Sequence, residues 1–265
     1  LPIQKPYLVS KEVSSSALIT LEKKGVIEAE RYQIDRINNE KKQSNSFKAL
    51  SNPQTKALTE LNESMESNNV TLLHGVTGSG KTEIYVQIIQ DHLDQGHQIL
   101  FLLPEIALTT QLIQRLSAYF GEKIGVYHSK FNQNERVEIW NKVLTNDPNE
   151  FRIILGARSS IFLPYQSLGL IIVDEEHEGS FKQYDPSPRY NARDASIVLA
   201  HMHQAKVILG TATPSMESYY NAKQGKFGLV ELNERYKGLK LPEVMFSDLK
   251  RERRLKNMNS HFSNF

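Results

Sequence analysis

Apolar and polar positions divide most of the chain into short apolar runs separated by longer amphipathic stretches. The runs are rich in Val, Ile and Leu and lie at residues 70–75, 98–104, 123–128, 151–156, 168–176 and 206–212. Such continuous runs are typical of parallel strands that are covered on both faces. Apolar residues at helical spacing lie between them, as over residues 83–93 and 109–119. The pattern predicts repeated β–α units, and therefore an α/β three-layer domain with a parallel sheet over residues 50–235.

The first 36 residues predict a separate module. A short helix would be capped by Ser14, Ser15 or Ser16, bury Ala17, Leu18 and Leu21, and end at Gly25. Two strands would follow, around Val26, Ile27, Tyr32 and Ile34. Winged-helix modules end in this way, so we interpret residues 1–36 as the C-terminal part of such a domain whose earlier part precedes Leu1. A surface hairpin is the alternative, and the polar residues 37–49 predict a linker.

Composition excludes several classes of protein. The chain has 265 residues, 32 Lys and Arg, 30 Asp and Glu, and no Cys. The missing cysteines exclude a disulfide scaffold, a thiolate nucleophile and a cysteine zinc site. No apolar run approaches the roughly 20 residues of a membrane-spanning helix, so we expect no membrane partner.

Positive charge is concentrated at the C-terminal end. Residues 237–265 contain seven Lys or Arg and three acidic residues, which leaves the other 236 residues with a net charge of −2. We interpret residues 236–265 as a basic extension towards a further domain, with a solvated chain end as the alternative. Nucleic-acid contact elsewhere would need a local basic patch.

A phosphate-binding motif follows the first apolar run. The stretch "GVTGSGKT" at residues 75–82 fits the P-loop pattern between a predicted strand and a predicted helix. Backbone N–H groups of Gly75, Gly78, Ser79 and Gly80 would wrap the phosphates of a nucleoside triphosphate. Lys81 would contact the β- and γ-phosphates, and the Thr82 hydroxyl would hold Mg²⁺.

The acidic stretch "VDEEH" supplies a second part of a nucleoside triphosphate site. Asp174 ends an apolar run and would hold Mg²⁺, usually through water, while Glu175 would orient and deprotonate the attacking water. We expect Glu176 to face outward. Acidic residues after a strand can also cap the next helix, but the P-loop upstream favours hydrolysis of the bound nucleoside triphosphate.

A histidine and two threonines follow neighbouring strands. Thr211 and Thr213 in "GTATPS" would present hydroxyls near His177, and such contacts can transmit the nucleotide state to another surface. The alternative is that His177 is an ordinary core histidine.

The segment 179–194 alternates aromatic and basic residues. The predicted DNA contacts are Phe181, Lys182, Tyr184, Arg189, Tyr190 and Arg193. Aromatic faces stack on unpaired bases, and cations contact phosphates. Pro186 and Pro188 exclude a continuous helix, so we expect an exposed loop. The alternative is that the aromatic residues pack beneath the loop as a small core.

The motif set resembles that of the superfamily 2 helicases, and within them the primosomal replication-restart helicases. Its members, in chain order, are "GVTGSGKT", "LLPEIALTTQ", "VYHS", "GARSSIFLP", "VDEEH" and "GTATPSMES". The resemblance implies that residues 50–235 form the first RecA-like lobe of an ATP-dependent 3′-to-5′ DNA helicase acting in replication restart and primosome assembly. It also implies that Gln54 reads adenine, a helix-capping or surface glutamine being the alternative. "PEIALT", His128 with Ser129, and "GARSS" would line the DNA track.

The resemblance has further consequences for partners and for activity. It implies single-stranded and forked DNA as ligands, with single-stranded-DNA-binding protein and the primosomal proteins that load the replicative helicase as partners, in the cytoplasm. A second lobe with catalytic arginines and zinc-binding cysteines, and a domain that grips the DNA 3′ end, would lie outside this sequence. This chain alone would then hydrolyse ATP weakly or not at all, and zinc is expected only outside it. A non-catalytic binding module and an RNA-remodelling enzyme are the competing interpretations.

Overall fold

The computed structural model describes residues 14–27, 47–105, 110–128, 131–235, 247–256, 258–259 and 262–263. The chain divides into two compact units, residues 1–38 and 39–265. Several predicted features lie outside the described residues: most of the strand pair near the N-terminus, residues 37–46 of the linker, residues 106–109 of "PEIALT", and Ser129.

The first unit contains helix α1 (Ser15–Lys23). The Ser14 side chain accepts a hydrogen bond from the Ala17 backbone N–H at 3.2 Å, and Gly25 after the helix has a φ of +67°. These are the cap and the left-handed stop that the serines and the glycine predict. The predicted buried side was wrong for Ala17 and Leu21, because both are exposed.

The second unit is built on a seven-stranded sheet in which every strand pair is parallel. Its strands are β1 (Val70–Gly75), β2 (Gln98–Leu102), β3 (Ile124–Tyr127), β4 (Ile153–Gly156), β5 (Leu168–Asp174), β8 (Lys206–Thr211) and β9 (Gly228–Leu232). Their spatial order is β3-β4-β2-β5-β8-β1-β9. All six apolar runs form strands, and β9 is an addition. Its alternating burial is typical of an edge strand rather than of a continuous apolar run.

Helices cover both faces of this sheet. They are α2 (Asn52–Ser67), α3 (Lys81–Asp94), α4 (Thr110–Phe120), α5 (Gln133–Thr145), α6 (Ala192–His203) and α7 (Met216–Lys223), with a short helix α8 (Leu249–Arg254) nearer the C-terminus. Successive strand residues point to opposite faces. Leu72 and Leu73 on β1 are nevertheless both fully buried. The sheet is therefore the middle of three layers, and the predicted α/β fold is confirmed.

Two short hairpins complete the described structure. Strands β6 (Lys182–Gln183) and β7 (Tyr190–Asn191) pair antiparallel, as do β10 (Met258–Asn259) and β11 (Phe262–Ser263). Within the described ranges, no helix combines the length and the apolar character needed to cross a membrane.

The strand order brings the predicted site together at one edge of the sheet. Strands β5, β8 and β1 are consecutive neighbours. Because they are parallel, their carboxyl ends lie side by side. The acidic residues follow β5, the threonines follow β8, and the P-loop follows β1.

Candidate functional site

The P-loop turns between β1 and α3. Gly78 and Gly80 have φ values of +77° and +85°, in the left-handed region that favours glycine. A Cβ at Gly80 would lie 2.1 Å from Gln54 Nε2, so a larger residue would displace the Gln54 amide as well as being strained at this φ. Lys81 Nζ donates a hydrogen bond to the Gly75 carbonyl at 2.9 Å. The lysine is thus held on the loop's own backbone, at the place where phosphates are expected.

Gln54 connects the start of α2 to the P-loop. Its Oε1 accepts hydrogen bonds from the Ser51 backbone N–H at 2.9 Å and the Ser51 hydroxyl at 3.0 Å. Its Nε2 donates to the carbonyls of Ser79 at 3.2 Å and Gly80 at 3.3 Å. Gln54 is only 2% exposed, so it is not a surface glutamine, but its contacts with Ser51 form a capping box at the start of α2, as the helix-capping alternative had it. Contact with adenine stays a prediction.

One cavity of about 430 Å³ joins the P-loop to the acidic residues. Its lining consists of Lys48, Ala49, Gln54, Thr77, Gly78, Ser79, Gly80, Lys81, Thr82, Glu83, Arg115, Asp174 and Glu175. The volume lies within the roughly 300–1,000 Å³ of small-molecule sites. Arg115, which forms an ion pair with Glu83, was missed because nothing in its sequence surroundings points to a site. A larger cavity of about 690 Å³, near the C-terminal turns of α2 and α3, contains none of the predicted site residues.

The two acidic residues at the end of β5 differ in environment. Asp174 accepts a hydrogen bond from the Tyr85 hydroxyl at 2.9 Å. Burial, followed by the charge of Glu175, raises the pKa of Asp174 to about 6, and nearby Lys81 opposes this rise. Glu175 is partly exposed and has a φ of +51°. An ionised Asp174 is therefore costly in the free protein, and a bound cation would favour it.

His177 lies between the acidic residues and the threonines. Its Nδ1 is 2.8 Å from Thr211 Oγ1, and its Nε2 is 3.3 Å from Thr213 Oγ1. The same Nδ1 is 3.7 Å from Glu175 Oε2. The structure brings together the three residues that the sequence grouped, and their coupling role stays a prediction.

Glu176 does not face outward as predicted. Its side chain is 0% exposed and is paired with Arg193 Nη1 at 3.0 Å. It also accepts hydrogen bonds from the Ser215 backbone N–H at 2.6 Å, the Ser215 hydroxyl at 3.0 Å and the Ser218 hydroxyl at 2.8 Å. A buried carboxylate requires such partners. The sequence could not reveal them because Arg193 is 17 residues away and Ser215 is 39.

The segment 179–194 forms a short helical turn and the β6–β7 hairpin, and it corrects two predicted DNA contacts. Phe181 is 1% exposed, so its ring packs beneath the segment as the alternative interpretation had it. The Arg193 guanidinium is engaged with Glu176, Asp194 and Ser215, and little of it reaches solvent. Neither side chain is available to DNA in this arrangement.

The other members of this predicted surface are accessible to different degrees. Tyr184 is 64% exposed, and Lys182 Nζ lies 5.0 Å from its ring centre. Arg189 is exposed, whereas Tyr190 is half-buried with its ring against exposed Phe162, 5.1 Å between centres. Phe162 lies within the motif "GARSSIFLP", of which only the "GARSS" part was predicted to contact DNA.

The residues around the P-loop fit magnesium as an ATP-bound ion. Asp174 and Thr82 offer a carboxylate and a hydroxyl, which are hard oxygen donors. Among the described residues no group of three or more His, Cys, Asp or Glu side chains could hold a metal by itself. Mg²⁺ commonly takes one or two protein carboxylates and completes its ligands with substrate phosphates. The oxygen donors of Asp174 and Thr82 match this usual coordination of Mg²⁺.

The sequence profile of the DEAD/DEAH box helicases matches residues 51–222, which contain both the P-loop and the acidic residues. The chain belongs to the DEAD/DEAH box helicase family. Membership in this family implies the use of ATP, typically with Mg²⁺.

Among the curated relatives of this family member are replication restart proteins named PriA. The Bacillus subtilis protein is 40% identical over 250 residues, which cover 92% of this chain and 30% of that protein. The Helicobacter pylori protein is 47% identical over 187 residues, which cover 71% of this chain and 29% of that protein. The chain thus spans about a third of the length of the curated relatives it matches.

Two solved helicase structures have the same fold as this lobe. RecG bound to a three-way DNA junction superposes with a TM-score of 0.56 at 23% identity, over 78% of this chain and 27% of RecG. The Mycobacterium smegmatis helicase Lhr, bound to single-stranded DNA and AMP-PNP, gives a TM-score of 0.50 at 22% identity, over 70% of this chain and 26% of Lhr. The RecA-like character of the domain is therefore confirmed.

Proposed function

We propose that this chain is the first, ATP-binding motor lobe of an ATP-dependent DNA helicase that acts in replication restart. One observation carries the proposal: Lys81, Asp174 and Glu175 line a single cavity in a helicase-family lobe. The similarity to PriA proteins over 92% of the chain supports the biological role.

In the proposed reaction, each residue has a separate task. Lys81 leaves the Gly75 carbonyl and contacts the β- and γ-phosphates of ATP. Thr82 and Asp174 hold Mg²⁺, which neutralises phosphate charge when bound. Glu175 accepts a proton from the attacking water as the water oxygen bonds to the γ-phosphorus and the bond to the ADP oxygen breaks. Arginines from a second lobe would stabilise the charge of the transition state.

The proposed substrate of the complete helicase is single-stranded or forked DNA, along which it moves 3′ to 5′. Tyr184, with Lys182 beside it, and Arg189 offer the stacking face and the cations that such binding needs. Tyr190 and Phe162 would extend this surface. The solved RecG and Lhr structures of the same fold contain DNA, in agreement with this proposal.

The proposal extends to partners and location. Single-stranded-DNA-binding protein and the primosomal proteins that load the replicative helicase are the expected partners, and the cytoplasm is the expected compartment. Zinc would belong to the part of the relatives that this chain does not match.

The test compares nucleotide binding with hydrolysis. A fluorescent ATP analogue should bind the 265-residue chain in the presence of Mg²⁺, and Lys81→Ala should weaken binding about tenfold or more, because charge-assisted hydrogen bonds to phosphate are lost. In a protein of the relatives' full length, the same change should abolish DNA-stimulated ATP hydrolysis. Lys56→Ala, on the exposed side of α2, is the matched control.

Each outcome of this test distinguishes between the proposed function and an alternative. Absence of nucleotide binding by the unmodified chain would refute the ATP site. Robust hydrolysis after Lys81→Ala would refute the role of the lysine. A full-length protein that binds ATP without hydrolysing it on DNA would support the competing interpretation, a non-catalytic binding module.

A further inference from the structure

A buried tyrosine outside the helicase motifs contacts the predicted magnesium carboxylate. Tyr85 lies on α3, three residues after Thr82 and four after Lys81, so all three share one face of the helix. Its hydroxyl donates a hydrogen bond to Asp174 Oδ1 at 2.9 Å. Its ring is fully buried and packs edge-on against Phe101, with ring centres 5.5 Å apart. The packing against Phe101 holds the Tyr85 ring, and the hydrogen bond to Asp174 holds its hydroxyl.

The neighbouring strand leaves room for that hydroxyl. Gly210 on β8 pairs in register with Asp174 on β5. A Cβ built at Gly210 would lie 1.7 Å from the Tyr85 hydroxyl and 3.2 Å from Asp174 Oδ1. Gly210 is not among the glycines with positive φ, so its backbone could accept another residue. The space, rather than the backbone, requires glycine here.

We propose that Tyr85 is a positioning residue for Asp174, and that Gly210 leaves the space in which the Tyr85 hydroxyl lies. The end of a carboxylate side chain rotates over a broad range of angles. A donor fixed on Oδ1 removes that freedom and gives the other oxygen a defined direction within the ATP cavity. Outer-shell partners of this kind orient metal ligands, and their loss typically weakens metal binding. The proposal rests on the proposed function only in taking Asp174 as a magnesium ligand.

The experiment measures metal and nucleotide binding separately on the 265-residue chain. A fluorescent ADP analogue is titrated with Mg²⁺ present and with the metal chelated, and Mn²⁺ binding in the presence of ADP is followed by electron paramagnetic resonance. Tyr85→Phe should weaken Mn²⁺ and Mg²⁺ binding by about tenfold or more. Affinity for the metal-free analogue should stay within about twofold, because the P-loop is untouched.

A buried tyrosine elsewhere provides the matched control. The Tyr165 hydroxyl donates to the Ser160 carbonyl at 3.0 Å, away from the cavity lining, so Tyr165→Phe loses a comparable hydrogen bond. Thermal unfolding of each variant verifies that it is folded. Tyr165→Phe should leave metal binding unchanged.

Gly210→Ala tests the same idea without touching the tyrosine. Its Cβ should displace the hydroxyl and weaken metal binding at least as much as Tyr85→Phe. The double variant should be no worse than Gly210→Ala alone, because the phenylalanine has no hydroxyl to displace. If the double variant lost metal affinity by the sum of the two single losses, the two residues would not act through the same hydroxyl.

The two proposals fail in different ways. A folded Tyr85→Phe protein with unchanged metal binding would overturn the positioning role while leaving the ATP site intact. An equal loss in Tyr165→Phe would also overturn it. If the unmodified chain binds no nucleotide with or without metal, the proposed function itself fails, and the role of Tyr85 fails with it.

Discussion

Replacing the Asp174 carboxylate by an amide should stabilise the protein in the absence of nucleotide. Burial, and then the charge of Glu175, raises the pKa of Asp174 from 3.8 to about 6. The ionised carboxylate is therefore less favourable in the folded chain than in the unfolded one. Asp174→Asn removes the charge, keeps nearly the same shape and retains an oxygen that can accept the hydrogen bond from Tyr85.

The pKa difference determines both the size and the pH window of this effect. At 1.36 kcal/mol per unit, a rise of about two units destabilises the folded protein by about 3 kcal/mol near pH 7.5. Because the folded pKa is the higher one, the folded state binds more protons than the unfolded state between about pH 4 and pH 6. This group's contribution to stability therefore falls as the pH rises through that window. At about pH 4 the destabilisation caused by Asp174 is below about 1 kcal/mol.

Urea unfolding followed by circular dichroism measures the difference. Asp174→Asn should exceed the unmodified protein in free energy of unfolding by up to about 3 kcal/mol near pH 7.5, with a much smaller gain near pH 4. Asp185→Asn, in the exposed part of the hairpin, is the matched control. An Asp174→Asn protein that is no more stable near pH 7.5, or whose gain is the same at both pH values, would refute the reasoning.

Four other substitutions test the remaining assignments. Glu175→Gln should lower kcat of the full-length protein about 100-fold or more while this chain keeps its affinity for Mg²⁺-ADP, and equal losses in both would make Glu175 a binding residue. Phe181→Ala should cost about 3 to 5 kcal/mol of unfolding free energy, whereas Tyr184→Ala should leave stability unchanged and reduce DNA stimulation of the ATPase. Normal stimulation would exclude Tyr184 from the DNA surface. Glu176→Ala should cost about 3 kcal/mol or more in chemical unfolding because the largely buried Arg193 loses its buried carboxylate partner and is left with the exposed Asp194, and a loss near zero would contradict that pairing.

The fold was predictable because its signals are local. Each buried parallel strand is a continuous apolar run, and a P-loop is a contiguous string between a strand and a helix. Strand β9 escaped prediction because an edge strand with alternating burial lacks such a run. The position of the site then follows from topology, since parallel strands collect their carboxyl ends at one edge.

The errors concern side chains whose partners are distant in sequence. Aromatic and basic residues alternate in the segment 179–194, and nothing local distinguishes buried Phe181 from exposed Tyr184. Arg193 was assigned to DNA because a cation beside aromatics fits that role, yet its partner Glu176 lies 17 residues earlier. Tyr85 was missed for the same reason, because Asp174 is 89 residues away. Contacts with residues that are distant in sequence decide whether such side chains are buried or available to a ligand.

The predicted catalytic carboxylates also depart from what local preferences favour. Glu175 has a φ of +51°, a conformation that costs a residue other than glycine about 1 to 3 kcal/mol. Asp174 lies partly buried beside it with a raised pKa. The neighbouring residues Glu176 and His177 are held by Arg193, Ser215, Ser218 and the two threonines. These contacts stabilise a turn that its own sequence does not favour, and within it Glu175 stays partly exposed. A strained and charged turn of this kind is stable only when the surrounding fold supplies the compensating contacts.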